Sequence, residues 1–396
     1  MSVRGGTSRS QAGPHFWQIE EEALAPCAMR AALSRGRRHP ETEHSFRSPF
    51  SRDRDRIIHS RAFRRLEYKT QVFVNHEGDH FRTRLTHSIE VSQVARTVAS
   101  ALGLNATMAE ALSLSHDLGH TPFGHLGEEV LHRLMHAHGG FNHNRQSLRI
   151  VEHLEERYPE FVGLNLTYEI REGIAKHSGP CDPRIAPEYA DYHPEEQPPL
   201  EAQMIDIADE IAYQHHDVDD GVESGLLDPV ALAAAVPLWA EAWNVALERY
   251  PGAARRQHVT VALRRMIDRL VTDLVETSRA AIEASGARSV DDVRRLPGPI
   301  MGLSPEMARL NRELKRHLHE HLYRHHRIER EKDKARRIME ALFERYHENA
   351  DLLPEEHRSK ISVLGHDRVI CDYIAGMTDR YALDEYRRLF EPDDRT

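Results

Sequence analysis

The sequence predicts an all-α protein, on three observations. Apolar residues recur at steps of three and four from about residue 57 onward. No stretch of any length alternates as a strand would. Aromatic residues make up only 7%, too few for the packed faces of a β-sandwich. The 396 residues fit two or three domains or one large one, and a 40% hydrophobic content supplies a sizeable core.

Residues 1–56 are rich in Arg, Ser and Pro with weak periodicity, so a mobile tail followed by an irregular segment is expected. From Thr86 to Leu102, His87, Val91, Val94, Val98 and Leu102 share one face, and Gly103 stops the helix. Ala106 to Ser115 reads as a second helix, and Leu118-Gly119-His120-Thr121-Pro122 then breaks the pattern. Glu128 to Met135 and Asn142 to Tyr158 read as the third and fourth helices. Six prolines between Gly179 and Leu200 predict a long loop of the kind that serves as a lid or subunit contact. Helices are expected over 201–216, over 258–284, over 305–346 with one break, and over 366–380.

Fifty-three Lys and Arg against 63 Asp and Glu leave a formal charge of −10, which argues against a general nucleic-acid coat. Any polyanion must therefore meet a local cluster of cations. Three scattered cysteines, Cys27, Cys181 and Cys371, form neither a disulfide framework nor a thiolate metal site. The first residues lack the apolar run of a secretory signal, and the richest apolar stretch, 231–243, is too short for a bilayer and holds Pro237. A soluble cytoplasmic protein is the expectation, with no membrane partner.

Histidine is abundant, with 28 copies. Two polar residues stand where a core should be apolar: His87 on the Val91/Val94/Val98 face, and Asp209 beside Ile205, Ala208 and Ala212. A buried unpaired carboxylate is costly and calls for a cation. His116-Asp117 closes the Ala/Leu-rich second helix. Together His87, His116, Asp117 and Asp209 make a sulfur-free donor set suited to Mn, Fe, Zn, Ni or Mg. The chain holds three His-Asp dipeptides, at 116, 216 and 366, and a bare one is a surface pair. Only the first is singled out, by its setting in 116–125.

That stretch, with RTRLTHSIEV (82–91), IADEIAYQHHDVDDG (207–221) and DYIAGMTDRYAL (372–383), resembles the HD-domain deoxynucleoside triphosphate triphosphohydrolases, the dGTPase-like enzymes. The resemblance runs from about Arg61 to Tyr381. Thr121 stands where the common loop has Pro, a departure that touches no ligand. The fold implied is an HD-domain helical bundle with additional C-terminal helices. The division implied is an N-terminal segment (1–56), a metal-binding catalytic core (57–225), and a helical C-terminal part (226–396) that completes the nucleotide site. His87, His116, Asp117 and Asp209 become metal ligands, and His125 and Glu128 a catalytic pair near the α-phosphate with His120 beside them. The implied reaction is water attack at the α-phosphorus, releasing triphosphate and the deoxynucleoside. Spacing agrees: His125 and Glu128, three apart at a helix start, face the same way.

A triphosphate needs cations near the ion. Arg61, Arg64, Arg65 and Lys69 form one cluster, Arg82 and Arg84 precede His87, and Lys176 follows in EGIAKH. Most such residues are solvated surface; Arg84, three residues from a ligand, is the strongest candidate, and the resemblance puts an α-phosphate contact there. Tyr213 and Asp217 follow Asp209 on one helical face. There the ring could block a ribose 2′-hydroxyl and Asp217 could accept from the 3′-hydroxyl, against the plainer reading of Tyr213 as core. Gln71 resembles the family's other 3′-hydroxyl contact. The resemblance implies phosphate and base contacts from the 311–337 segment, which makes Lys315 and Tyr323, on one of its faces, the candidates. For Arg330 to Arg337 a solvated helix, a nucleic-acid contact and an allosteric dNTP site stay open.

The leading expectation is a metal-dependent dNTP triphosphohydrolase acting as a homo-oligomer. The alternatives are an HD phosphodiesterase or 5′-nucleotidase acting on monophosphates, and a non-catalytic nucleotide or single-stranded nucleic-acid binding protein.

Overall fold

A computed structural model describes residues 16–71, 82–179 and 181–392. The expected mobile tail falls in residues 1–15, outside the described residues. Helices dominate, and the only β pairings among the described residues are two isolated bridges, Arg37 with Thr167 and Thr70 with Thr83. The helices that position the site are α1 (Arg84–Leu102), α2 (Ala106–Ser115), α3 (Gly124–Leu134), α4 (His143–Arg149), α5 (Tyr168–Ala175) and α6 (Ile205–Glu223). They are followed by α7 (Arg255–Ser285), α8 (Pro305–Leu318), α9 (His326–Glu348), α10 (His366–Ala375) and α11 (Asp379–Phe390).

Local chemistry sets the ends. Thr83 caps α1 through a reciprocal pair with Thr86, so the helix starts at Arg84, two residues before the expected start at Thr86. Asn105 caps α2 and Asn142 caps α4. The helix expected over 142–158 turns into a wider coil at Ile150–Leu154 and ends there. Helix α3 starts four residues early, at Gly124. The N-terminal segment is less irregular than expected: Phe16–Glu22 is helical, and Pro49–Ile58 begins within it, capped by Ser48 with Pro49 at its first position. A 3-10 turn, Pro187–Tyr192, interrupts the proline-rich loop. The tail helix expected to run to 380 breaks at Gly376, and Thr378 caps a separate α11.

Two apolar cores result. The larger gathers α1, α2, α5, α6, α7 and α8 around residues such as Val91, Leu112, Ile211, Met266 and Leu314. The smaller joins Phe123, Val130 and Leu131 of the α3 region to Met339, Leu342, Ile370 and Ile374 of α9 and α10. Helix α3 therefore packs with the C-terminal helices rather than with α1 and α2. The turn entering it is braced on both sides. Phe123 and Gly124 both take left-handed backbone (φ 62° and 61°), which a non-glycine residue adopts only when its surroundings enforce it. Gly119 has no room for a side chain: a Cβ there would stand 2.1 Å from the His143 carbonyl oxygen of α4.

Asp379, at the start of α11, is buried and spans this junction. Its Oδ2 accepts from the Thr70 backbone N–H and its Oδ1 from that of Phe123, each at 2.9 Å. Lys69, also buried, donates to the carbonyl oxygens of His120 and Ala375. Burial lowers the Lys69 ammonium to about 7, aided by Arg65 and opposed by Asp379. Asp379→Ala leaves two buried N–H groups without an acceptor and is expected to cost roughly 2–4 kcal/mol. Urea unfolding reads this, and a change under about 0.5 kcal/mol would contradict the bracing role.

Candidate active site

Four helices aim polar groups at one buried point. His87 lies one turn after Arg84 on α1. His116 and Asp117 follow α2, and Asp209 stands on the second turn of α6. His87 Nε2 is 2.9 Å from Asp209 Oδ1 and 3.9 Å from Asp117 Oδ2. His116 Nε2 is 3.4 Å from Asp117 Oδ1 and 3.8 Å from Asp209 Oδ1. A fourth segment adds His177, just past α5, whose Nε2 lies 4.0 Å from Asp209 Oδ2. One donor atom from each of His87, His116 and Asp117 lies within 4.8 Å of the others, and so does one from each of His116, His177 and Asp209.

The set fits a divalent ion. His116 Nε2 is buried with no hydrogen-bond partner among the described residues, while its Nδ1 sits 2.6 Å from the Ser113 carbonyl. That arrangement leaves Nε2 as a lone pair aimed at two carboxylates, and the sulfur-free donors match Mn, Fe, Ni, Zn or Mg. Electrostatics agree. Burial would raise the Asp117 carboxyl, but its neighbours His116 and Arg84, with the hydrogen bond from His120, outweigh it and hold Asp117 well below its ordinary range. Asp209 is likewise lowered against its burial, chiefly by the hydrogen bond from His87. Both present anionic oxygens to the same spot.

Beside this point lies a second cluster. Glu128 Oε1 accepts from the His143 backbone N–H at 3.0 Å, and His143 Nδ1 lies 2.9 Å from Oε2. The His143 ring stacks on His120 at 4.0 Å between centroids, and His120 Nε2 is 3.0 Å from Asp117 Oδ1. Burial would raise the Glu128 carboxyl, yet His125 and His143 together lower it strongly, so it stays anionic. His120 is pushed far down by burial and by the Arg84 charge, so it stays neutral. His125 Nδ1 stands 3.8 Å from Glu128 Oε2, with 64% of its side chain exposed. The pair expected to bond directly is thus spaced apart, and the carboxylate's close partner is His143.

A cavity of about 560 Å³ opens on these residues, lined by Gln71, His125, Asp209, Tyr213, Lys315 and Tyr323 among others. A second, of about 470 Å³, lies on the other side of His125 and is lined by Glu128 and His177. Arg84 is 1% exposed; one guanidinium nitrogen donates to Asp117 Oδ2 at 2.9 Å, while Nε and Nη2 are buried without partners among the described residues. Two unsatisfied donors on a buried cation are a ready anion seat. Gln71 is buried, and its Oε1 has no partner among the described residues. Tyr323 donates its hydroxyl to Asp217 Oδ2, and Lys315 pairs with Glu210 at 3.2 Å at the rim.

Lys176 corrects the sequence reading. Its ammonium donates to Glu172 Oε1 at 2.8 Å and to the carbonyls of His193 and Glu196, away from both cavities. Glu172, fully buried and also held by Arg294, draws it into a structural network. The His216-Asp217 dipeptide is a second correction: it is buried, not a surface pair. His216 Nε2 meets His87 Nδ1 at 3.1 Å, and its Nδ1 lies 2.8 Å from Asp217 Oδ1. Burial drops His216 to about 3, so it is a neutral relay behind His87. His143 and His177 escaped the sequence reading because each follows a cap or helix end with no periodic partner. Adjacency of His177 to Lys176 was the only available signal.

Burial also pushes the Asp217 carboxyl up to about 7, against the hydrogen bond from Tyr323 and the charge of His87. The unfolded carboxyl titrates near 3.8, so between pH ~4 and ~7 the folded chain binds the extra proton, and stability falls as pH rises through that window. Asp217→Asn removes this dependence. Its stability is expected to gain on the wild type by up to roughly 4 kcal/mol from pH ~4 to ~7. Denaturant unfolding at several pH values reads the trend; a constant difference contradicts it.

Comparison with known proteins supplies the class. Residues 84–214, which carry all four convergent donors, match the HD domain family, and residues 301–388 match the phosphohydrolase-associated domain. A deoxyguanosinetriphosphate triphosphohydrolase-like protein of Geobacter sulfurreducens is 52% identical over 377 residues, covering 95% of this chain and 97% of the relative. Proteins of the same name from Thiobacillus denitrificans (51%, covering 93% of this chain and 98% of the relative) and Azoarcus sp. strain BH72 (52%, 93% and 96%) are similarly close. The chain belongs to the deoxyguanosinetriphosphate triphosphohydrolase-like family of HD-domain proteins. No helix among the described residues is long and apolar enough to cross a membrane.

Proposed function

We propose that the chain hydrolyses deoxynucleoside triphosphates to the deoxynucleoside and inorganic triphosphate, by water attack at the α-phosphorus. One observation supports this above others: the buried Arg84 guanidinium, with two donors unsatisfied among the described residues, bonds Asp117, the carboxylate that also meets His120 of the His120–His143–Glu128 cluster. That is where an α-phosphate needs countercharge. A divalent ion held by His87, His116, Asp117 and Asp209 would supply Lewis-acid charge at a phosphoryl oxygen. Arg84 neutralises the phosphate through its free N–H groups. His125, exposed on the cavity wall, carries the proton that the departing 5′-oxygen takes up. The anionic Glu128, pinned by His143, stands 3.8 Å from that imidazole.

Tyr213, on the same helical face as Asp209, lines the cavity as a wall against a 2′-hydroxyl. Gln71, on the same cavity wall, would meet the 3′-hydroxyl; Asp217, buried outside the lining, would act on it through Tyr323, whose hydroxyl donates to it. Tyr213→Ala is expected to lower the dGTP-over-GTP ratio of kcat/KM by about tenfold or more; an unchanged ratio removes Tyr213 from specificity. The dGTPase-like names of the relatives support the substrate class. The division into an N-terminal segment (1–56), a core (57–225) and a C-terminal part (226–396) belongs to this reading, as does a homo-oligomer, which light scattering on the purified chain tests. The activity test offers each of the four dNTPs with Mn or Mg and identifies the products. Inorganic triphosphate is the expected product, and release of orthophosphate alone favours the monophosphate reading.

A further inference from the structure

The third His-Asp dipeptide, His366-Asp367, takes no part in the site described above. It opens α10, on the surface of the smaller core. Asp367 uses both carboxylate oxygens there. Oδ1 lies 2.7 Å from His347 Nδ1 near the end of α9, and Oδ2 lies 2.7 Å from His138 Nε2 in the turn after α3. The His366 ring stacks beside that of His347, 5.3 Å between centroids. Its Nε2 is buried without a hydrogen-bond partner among the described residues. One donor atom from each of His347, His366 and Asp367 lies within 4.8 Å of the other two.

We infer that His347, His366 and Asp367 form a second metal site, for a divalent transition ion of the zinc class, with His138 holding the other oxygen of Asp367 beside it. Two imidazoles and one carboxylate, with water in the fourth position, are donors such an ion takes. Ion pairing alone accounts for the cluster less well. A single carboxylate balances one imidazolium, whereas three rings gather around it, and one keeps a buried nitrogen unpartnered. Imidazole nitrogens gathered this way offer lone pairs that one cation satisfies together. Asp367, in the first turn of α10, offsets the unfavourable dipole of the helix start. Arg368 already ties the turn to α10 by donating to the carbonyl oxygens of His138 and Gly140. A bound ion would add a tie between the end of α9 and the start of α10. The site does not depend on the reaction proposed above.

Equilibrium dialysis of the full-length protein against zinc, followed by elemental analysis, tests the assignment. Wild type is expected to hold one zinc equivalent per chain more than His347→Ala/His366→Ala, with the zinc of the catalytic cluster common to both. His347 is 57% exposed, so its truncation leaves the core intact; should the double variant lose helicity, His347→Gln carries the same comparison. Loss of one equivalent supports the site. Equal zinc content in wild type and the folded variant overturns it.

Discussion

Asp209→Ala is expected to strip the protein of its catalytic ion and of turnover together. Asp209 stands at the hub of the donor set, 2.9 Å from His87, 3.8 Å from His116 and 4.0 Å from His177. Removing it deletes an anionic oxygen and leaves buried imidazoles facing one another. Several kcal/mol of transition-state charge stabilisation go with the ion, so kcat/KM should fall by ~10³-fold or more. Metal content by elemental analysis, measured beside dNTP turnover, reads both losses. The fold should survive, because Asp209 faces the cavity and α6 keeps its buried face of Ile205, Ala208, Ile211 and Ala212. A variant that loses its ion yet keeps its rate would detach the cluster from the chemistry.

His125→Ala should separate the same two quantities. The imidazole touches none of the four convergent donors; its neighbours are Glu128 at 3.8 Å and the His120 ring at 5.4 Å between centroids. Metal content should stay at the wild-type level while kcat falls by about 10²–10⁴, the usual contribution of a positioned acid or base. KM should move little, since Arg84, Gln71 and Asp217 remain. Full activity in this variant would end its assignment as proton carrier and shift attention to His143, the imidazole bonded directly to Glu128.

The sequence made some of this legible and hid the rest for physical reasons. Helical periodicity marks α1, α2, α6, α7 and α9, because their buried faces are continuous and long. The positions of His87 and Asp209 were readable for the same reason: a polar residue on an apolar stripe stands out. Elements built from tertiary contact were not readable. Helix α3 starts at Gly124 because Asp379, more than 250 residues away, holds the Phe123 backbone, and no local propensity announces that bond. The break at Gly376 sits between two helices with similar stripes, so the pattern runs on across it. Lys176 resembled a phosphate contact, being a cation next to a histidine. Only the fold shows Glu172 and the carbonyls of His193 and Glu196 surrounding it. His143 and His177 reach the site from a helix start and a helix end, where periodicity carries no information.

The central claim is that His87, His116, Asp117 and Asp209, brought from three separate segments, hold one divalent ion beside Arg84. Anomalous diffraction from crystals soaked in Mn²⁺ tests it directly. The predicted result is a single strong peak in the catalytic cavity, about 2.2 Å from donor atoms of those four residues. A peak held instead by His120, Glu128 and His143, with the four-residue cluster empty, would contradict it.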